Sequence, residues 1–319
     1  MKSFVTAVFC LVALSIAGAA NAQVVSVVTT PTGSYSNSVG IAIAKVISDK
    51  TKLHAIVQAQ GLNGMFAVQA GNADFSMANA FDTTFFVTGT GEYQGRGPQK
   101  DLREMSVMIP YRVGIFVRKN SGIKSMADLR GKRVPAGFDA QKTIGRIVAA
   151  HLANAGLTYD DVQKVLTPNI KRSADDFIAG KTDVLFFTVG SGAVKHAAAA
   201  VGGLRALQID DSPQAVARLQ KVLPGAYVTL VKPAPNLDGI SKPTKLVAFD
   251  MAFFTNKNEP DDVVYQVVKT LHDNKAALVA IFKPFGLFQP NNMARVIKDV
   301  PFHPAALKYY KEIGIAPKQ

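Results

Sequence analysis

Residues 23–45 read QVVSVVTTPTGSYSNSVGIAIAK, and the rest of the chain is organised around the change of pattern within them. Val24–Thr30 is rich in β-branched residues, the composition of a buried strand. Pro31–Ser38 is a polar loop, with a proline and a glycine for a sharp turn and then a series of hydroxyls. Val39–Val46 reads as the start of a helix. A helix starting there brings unpaired N–H groups and the positive end of its dipole to the loop, which suits an anion. A carboxylate gains about 0.3–1 kcal/mol from the dipole alone. An ordinary βα turn with a good N-cap has the same residues, so the loop by itself leaves both readings open.

Working outward, Leu53–Ala59 alternates as a second strand, and Gly61-Leu62-Asn63-Gly64 turns into a helix at Met65–Ala70. Gly71 ends that helix, and Ala73–Ala78 is a third strand finishing at Asn79. The order β, α, β, α, β predicts a parallel sheet with helices on its faces. Phe81–Val87 continues as helix, and the glycine-rich Thr88–Gln99 is a surface loop. Met105–Arg118 is apolar and extended, broken by Pro110, and long enough to cross into a second lobe.

The second lobe echoes the first. Lys132–Ala136 is a strand, Gly137–Thr143 a loop and Ile144–Ala155 a helix. Ala179-Gly180-Lys181-Thr182-Asp183-Val184 repeats the pattern of Ala70-Gly71-Asn72-Ala73-Asp74-Phe75, and the strand that follows ends at Thr188 as the earlier one ends at Asn79. Asp211–Leu223 is a helix. Leu246–Thr255 reads as one long strand pairing with Val113–Arg118, so that hinges fall near Tyr111–Val113 and Phe249–Met251. Helical spacing from Pro260 to Ala280 and a last helix at Ala305–Gly314 return to the first lobe. The expected division is residues 23–111 and 249–319 in lobe I and 112–248 in lobe II, each an α/β unit with a mostly parallel sheet flanked by helices. Halves that offer matching polar loops close on something between them.

Composition narrows the function. Lys2, the apolar Phe4–Ile16 and Ala20-Asn21-Ala22 make residues 1–22 a secretory signal peptide cleaved after Ala22, which implies a periplasmic protein. Cys10, the single cysteine of 319 residues, lies inside that signal, so disulfides, thiolate metal sites and a cysteine nucleophile are excluded from the mature chain. The formal charge of +13 is dispersed, with no basic tract interleaved with aromatics, which argues against a nucleic-acid partner. None of the histidines at 54, 151, 196, 272 and 303 pairs at metal-ligand spacing. Ser121-Gly122-Ile123-Lys124 lacks companion motifs, and Gly180-Lys181-Thr182 has Asp175 where a phosphate loop needs glycine. No enzyme, cofactor or metal is expected.

Several segments stand in a familiar order: Thr30-Pro31-Thr32-Gly33-Ser34-Tyr35 after a strand, Gly61-Leu62-Asn63-Gly64, the Ala70–Phe75 segment, and Ile123-Lys124-Ser125-Met126-Ala127-Asp128-Leu129-Arg130-Gly131-Lys132-Arg133-Val134. Gly156–Val162, Asp183–Gly190 and the ending His303-Pro304-Ala305-Ala306-Leu307-Lys308-Tyr309-Tyr310-Lys311-Glu312-Ile313-Gly314 follow. The mature chain resembles the TAXI family of solute receptors for TRAP (tripartite ATP-independent periplasmic) transporters. The resemblance implies a two-lobed type II periplasmic binding fold, a monomer that closes on a small carboxylate such as glutamate or 2-oxoglutarate, and delivery to TRAP permease subunits coupled to sodium. By position it implies lobe I contacts from Gly33, Ser34, Tyr35, Asn63 and Asn79, and lobe II contacts from Gln141, Thr143 and Thr188. Where relatives carry a glycine- and serine-rich loop this chain has Gly137–Thr143, so Phe138 and Asp139 are candidates to narrow the pocket and Lys142 to add a charge or point to solvent. A receptor for an ABC importer of sulfonate, nitrate or an aromatic acid, and a periplasmic sensor subunit, are the alternatives.

Overall fold

The computed structural model describes residues 23–30, 32, 34–60 and 64–318. Residues 1–22, expected to be a signal peptide, lie outside the described residues, as do Gly33 and Asn63. The first part of the chain runs β1 (Val24–Thr29), α1 (Tyr35–Lys50), β2 (His54–Ala59), α2 (Gly64–Gln69), β3 (Phe75–Asn79), α3 (Ala80–Thr88) and β4 (Leu102–Val107). It continues with β5 (Tyr111–Arg118), β6 (Arg133–Gly137), α4 (Lys142–Asn154), β7 (Gln163–Thr167), α5 (Ile170–Ile178) and β8 (Leu185–Thr188). Then come α6 (Gly192–Ala200), β9 (Leu204–Ala206), α7 (Pro213–Val222), β10 (Tyr227–Val231), β11 (Thr244–Phe249) and β12 (Met251–Asn256). The helices α8 (Asp261–Asp273), α9 (Lys275–Ile281) and α10 (Pro304–Glu312) finish the chain.

The first sheet has the order β2-β1-β3-β12-β4. Its β2, β1 and β3 are parallel, while β12 runs antiparallel to both β3 and β4. β1 is buried on both faces, which explains its unbroken apolar run. Val25 and Val27 join a core with α1, α8 and α10, and Val28 joins a separate core with α2. α1 buries Val39, Ala42, Ile43, Val46 and Ile47, a stripe at helical spacing. It starts four residues before the expected Val39, because the Ser34 hydroxyl caps it by accepting the Asn37 N–H at 3.2 Å.

The second sheet has the order β10-β11-β5-β8, with β9 also on β5. Here the expectation of a mostly parallel sheet needs correction. Every ladder in this sheet is antiparallel, and within residues 112–248 parallel pairing is confined to β6 and β7. The reason is that β5 and β11, which enter from opposite crossings, pair with each other and so run in opposite directions. Leu246–Thr255 is likewise two strands rather than one. β11 belongs to the second sheet and β12 to the first, and they meet at Asp250. β11 pairs with Tyr111–Val113 instead of Val113–Arg118, whose outer part takes β8 and β9. Asp250 is fixed at the crossing: its carbonyl accepts from Ala80 N at 2.9 Å, and its carboxylate takes the Tyr227 hydroxyl at 3.0 Å and the Arg295 guanidinium.

The two echoing segments are built alike. Gly71 and Gly180 both hold φ above +70°, ending α2 and the α5 segment in the left-handed turn that favours glycine. The next residue of each donates five positions back, Asn72 to Ala67 and Lys181 to Asp176, both at 2.8 Å. Asp74 then accepts the backbone N–H of Ser26 at 2.7 Å, and Asp183 that of Arg133 at 2.8 Å. In each half an aspartate thus fixes the entry of one strand beside the neighbouring one.

Candidate functional site

A cavity of about 160 Å³ lies between the two sheets. From the first-sheet side it is lined by Thr29 and Thr30 at the end of β1, Ser36 in α1, the β3 segment Ser76–Asn79 and Asp82 in α3. From the other side come Gln141 just before α4, Thr143 and Ile147 on α4, Ile170 at the start of α5, and Phe186 and Thr188 on β8. The crossing strands supply Tyr111, Val113 and Phe249 as a floor. Strand ends and helix starts meet here because each βα turn in both halves opens toward the same gap. The first turns of α1, α3, α4 and α5 accordingly all contribute lining residues.

On the β1 side the hydroxyls form a network. Thr30 Oγ1 lies 2.6 Å from Ser34 Oγ and is also bonded to Ser36 Oγ. Asn37 Nδ2 donates to Thr29 Oγ1 at 3.0 Å, and the Ser36 hydroxyl meets the phenol of Tyr111. Rotatable hydroxyls of this kind can turn to donate to an anion.

Of the residues expected to contact a ligand, Asn79, Gln141, Thr143 and Thr188 line the cavity. Gln141 Oε1 accepts the N–H of Ile170 at 2.8 Å, tying the start of α5 to that of α4 and turning its amide nitrogen into the group left to donate. Ser34, Tyr35 and Lys142 are not in the lining. The Ser34 Oγ caps α1 by accepting the Asn37 N–H and meets Thr30 Oγ1 behind the lining. Tyr35 stands behind the wall, with its ring 5.1 Å from Tyr111 and 5.4 Å from Phe282. Lys142 is exposed at the start of α4. Phe138 does not narrow the cavity either: it is fully buried in the second core at φ +56°, with its N–H held by Thr167 O at 2.7 Å. Asp139 beside it is exposed.

Sequence reasoning missed Asp82, the carboxylate of the lining. It is 5% exposed, in the first turn of α3. Thr143 Oγ1 donates to its Oδ1 at 3.3 Å from across the cavity, and the phenol of Tyr93 also bonds to it. Burial pushes the Asp82 carboxyl up to about 6, against the pull of these two hydroxyls. The available signal was its position three residues after Asn79, one helical turn from a residue expected to touch the ligand. Among the described residues, no lysine, arginine or histidine lines the cavity. Arg112 and Arg146 stand outside the lining. Arg112 acts on Tyr35, and Arg146 is held by Glu92 at 2.9 Å. No group of histidine, cysteine and acidic residues among the described residues could hold a metal.

A model of the NMT1-like family matches residues 27–314, nearly the whole described chain. The chain belongs to the NMT1-like family. The NMT1-like protein is similar in structure to the periplasmic binding protein BugD, at 15% identity over 93% of this chain and 99% of that one, TM-score 0.56. A periplasmic transporter is similar at 16% identity over 93% of this chain and 94% of its own, TM-score 0.55. A TctC solute-binding protein from Polaromonas is similar at 12% identity over 92% and 98%, TM-score 0.51. At these identities the likeness is one of fold: the chain has the two-lobed α/β fold of periplasmic binding proteins. No helix among the described residues is long and apolar enough to cross a membrane.

Proposed function

We propose that this NMT1-like protein is a periplasmic solute receptor that takes a small acid into the cavity between its sheets and delivers it to a membrane transporter. One observation carries the reading: the first turns of four helices and a network of hydroxyls converge on a cavity that contains no cationic side chain among the described residues. Helix N-termini and hydroxyl groups stabilise a carboxylate without needing arginine or lysine. The acid lies against Thr30 and Ser36 on one side, and Asn79, Gln141, Thr143 and Thr188 complete its shell. Ser34 and Tyr35 act through position, one capping α1 and the other backing Tyr111.

Residues 23–111 with 249–319, and 112–248, move as two lobes about the crossings between β4 and β5 and at Asp250. Delivery to a sodium-coupled TRAP permease follows from the resemblance to the TAXI receptors. An ABC importer is the second reading, because receptors for both transporter types share this fold. Residues 1–22 direct export and are removed after Ala22, so N-terminal sequencing of the exported protein begins at Gln23. The receptor reading is tested by thermal unfolding of refolded, ligand-free protein against C3–C6 mono- and dicarboxylates, amino acids and sulfonates. An acid at a hundred times its Kd adds about 2.7 kcal/mol and raises Tm by several degrees. If none of these acids moves Tm, the reading fails. Uptake by vesicles carrying the cognate membrane subunits separates the transporter types, since a TRAP system runs on a sodium gradient without ATP.

A further inference from the structure

Asp82 is the feature of the cavity that a plain acid does not explain. It is a 5% exposed carboxylate in the lining, supported by two neutral hydroxyls and by no cation of the lining. Of the charged groups that act on it, Arg146 attracts it without pairing with it, and Glu92 repels it. Arg146 gives its guanidinium to Glu92 at 2.9 Å, and Glu92 itself adds negative potential. A buried carboxylate in this setting has no cation in direct contact with it. A dicarboxylate would put a second negative group beside it. A ligand with a positive group there would supply the missing charge.

We propose that the solute is a zwitterion, an α-amino acid whose ammonium group pairs with Asp82 while its carboxylate meets the Thr30 and Ser36 hydroxyls. This rests on the receptor reading above. Among the described residues the rest of the lining holds no other charged side chain, and Met65, Met77, Ile144, Ile147, Phe186 and Phe249 give it an apolar share beside Asn79, Gln141 and Thr188, so the side chain it accepts is uncharged and largely apolar. Asp82 therefore sets specificity between amino acids and the oxo acids of the same skeleton, which differ at the one atom it faces.

The test is calorimetric titration of refolded wild-type protein with L-leucine and with 4-methyl-2-oxopentanoate, and with L-glutamate and 2-oxoglutarate as the charged pair. The expected result is that leucine binds about 30-fold or more tighter than its oxo acid, the loss that follows when a buried charge is left unpaired. In Asp82→Asn the preference collapses, while retained binding of the oxo acid reports that the variant is folded. Oxo acid binding as tight as leucine in the wild type overturns the ammonium assignment and leaves the receptor reading standing. A dicarboxylate binding tighter than leucine also overturns it. Absence of binding by any acid overturns the receptor reading and this inference with it.

Discussion

The guanidinium of Arg146 on α4 closes on Glu92 from the opposite side of the cavity, with Nε and Nη2 each 2.9 Å from Oε1. The same group lies 4.8 Å over the ring of Phe85 on α3. With the Thr143 bond to Asp82, these contacts hold α4 against the α3 side one to two turns from the cavity. Both side chains of the ion pair are more than two-thirds buried, so solvent screens the pair only partly.

Loosening this contact should weaken binding without touching the ligand. Glu92→Gln is expected to raise Kd about fivefold, corresponding to ~1 kcal/mol, mainly through faster dissociation. Stopped-flow release of bound solute checks it. An unchanged off-rate would mean that the pair does not contribute to closure.

Asp82→Asn should stabilise the empty protein at neutral pH even as it damages recognition. The carboxyl of Asp82 rises from 3.8 to about 6 on folding, because burial penalises its charged form. An acid whose folded value is raised binds protons more readily in the folded state, so stability falls as pH climbs from about 4 to about 6. Above that window the cost is roughly 3 kcal/mol, and the amide removes it. Urea unfolding at pH 7.5 and pH 4 checks this: the gain should be present at the first and small at the second.

His151 gives the opposite pH dependence. It is fully buried against Phe186, with its Nδ1 2.8 Å from Ile147 O, and burial lowers it to about 4. The folded state resists protonation, so stability is complete above pH 6.5 and is lost as pH falls toward 4, by about 3 kcal/mol. In the wild type this loss overlaps the gain from Asp82. Asp82→Asn should therefore acidify poorly, and its urea midpoint should drop more steeply than that of the wild type between pH 6.5 and 4.

Gly40 tests how tightly α1 is seated. An added Cβ would stand 2.3 Å from Cγ2 of Thr29, whose hydroxyl holds Asn37 at 3.0 Å. Alanine would ordinarily gain about 1 kcal/mol over glycine inside a helix. Here overpacking reverses the sign, and Gly40→Ala is expected to cost roughly 1–3 kcal/mol and to weaken solute binding, since Thr29 lines the cavity. A rise in Tm would contradict the seating of α1 on β1.

The parts of the fold that were legible in the sequence carry local signals. The valines of β1, the glycine-ended helices and the aspartates at 74 and 183 all speak through neighbours a few residues away. Asp250 could not be read in the same way. In an apolar run it looks like an interruption, and only its long-range partners Tyr227 and Arg295 make it the break between β11 and β12. The second sheet's antiparallel pairing was hidden for a similar reason, because ladder direction depends on which crossing strand lies beside which. At the site, Asn79, Gln141, Thr143 and Thr188 could be placed because each sits at a strand end or helix start. Ser34 and Tyr35 stood out for their chemistry, yet a capping bond and an aromatic stack occupy them. Asp82 carries no local signal of its partners, since Thr143 comes from the other half of the chain and Tyr93 from beyond α3.

The central claim is that a small acid binds in the cavity between the sheets. Calorimetric titration of the acid that raises Tm most, against wild type and against Thr188→Trp, tests it most directly. Thr188 lines the cavity from β8, and an indole there fills the space without removing any first-sheet hydroxyl. The account predicts saturable binding at one site per chain in the wild type and none in the filled variant, with both proteins unfolding cooperatively. Undiminished binding by folded Thr188→Trp would put the site elsewhere and contradict the account.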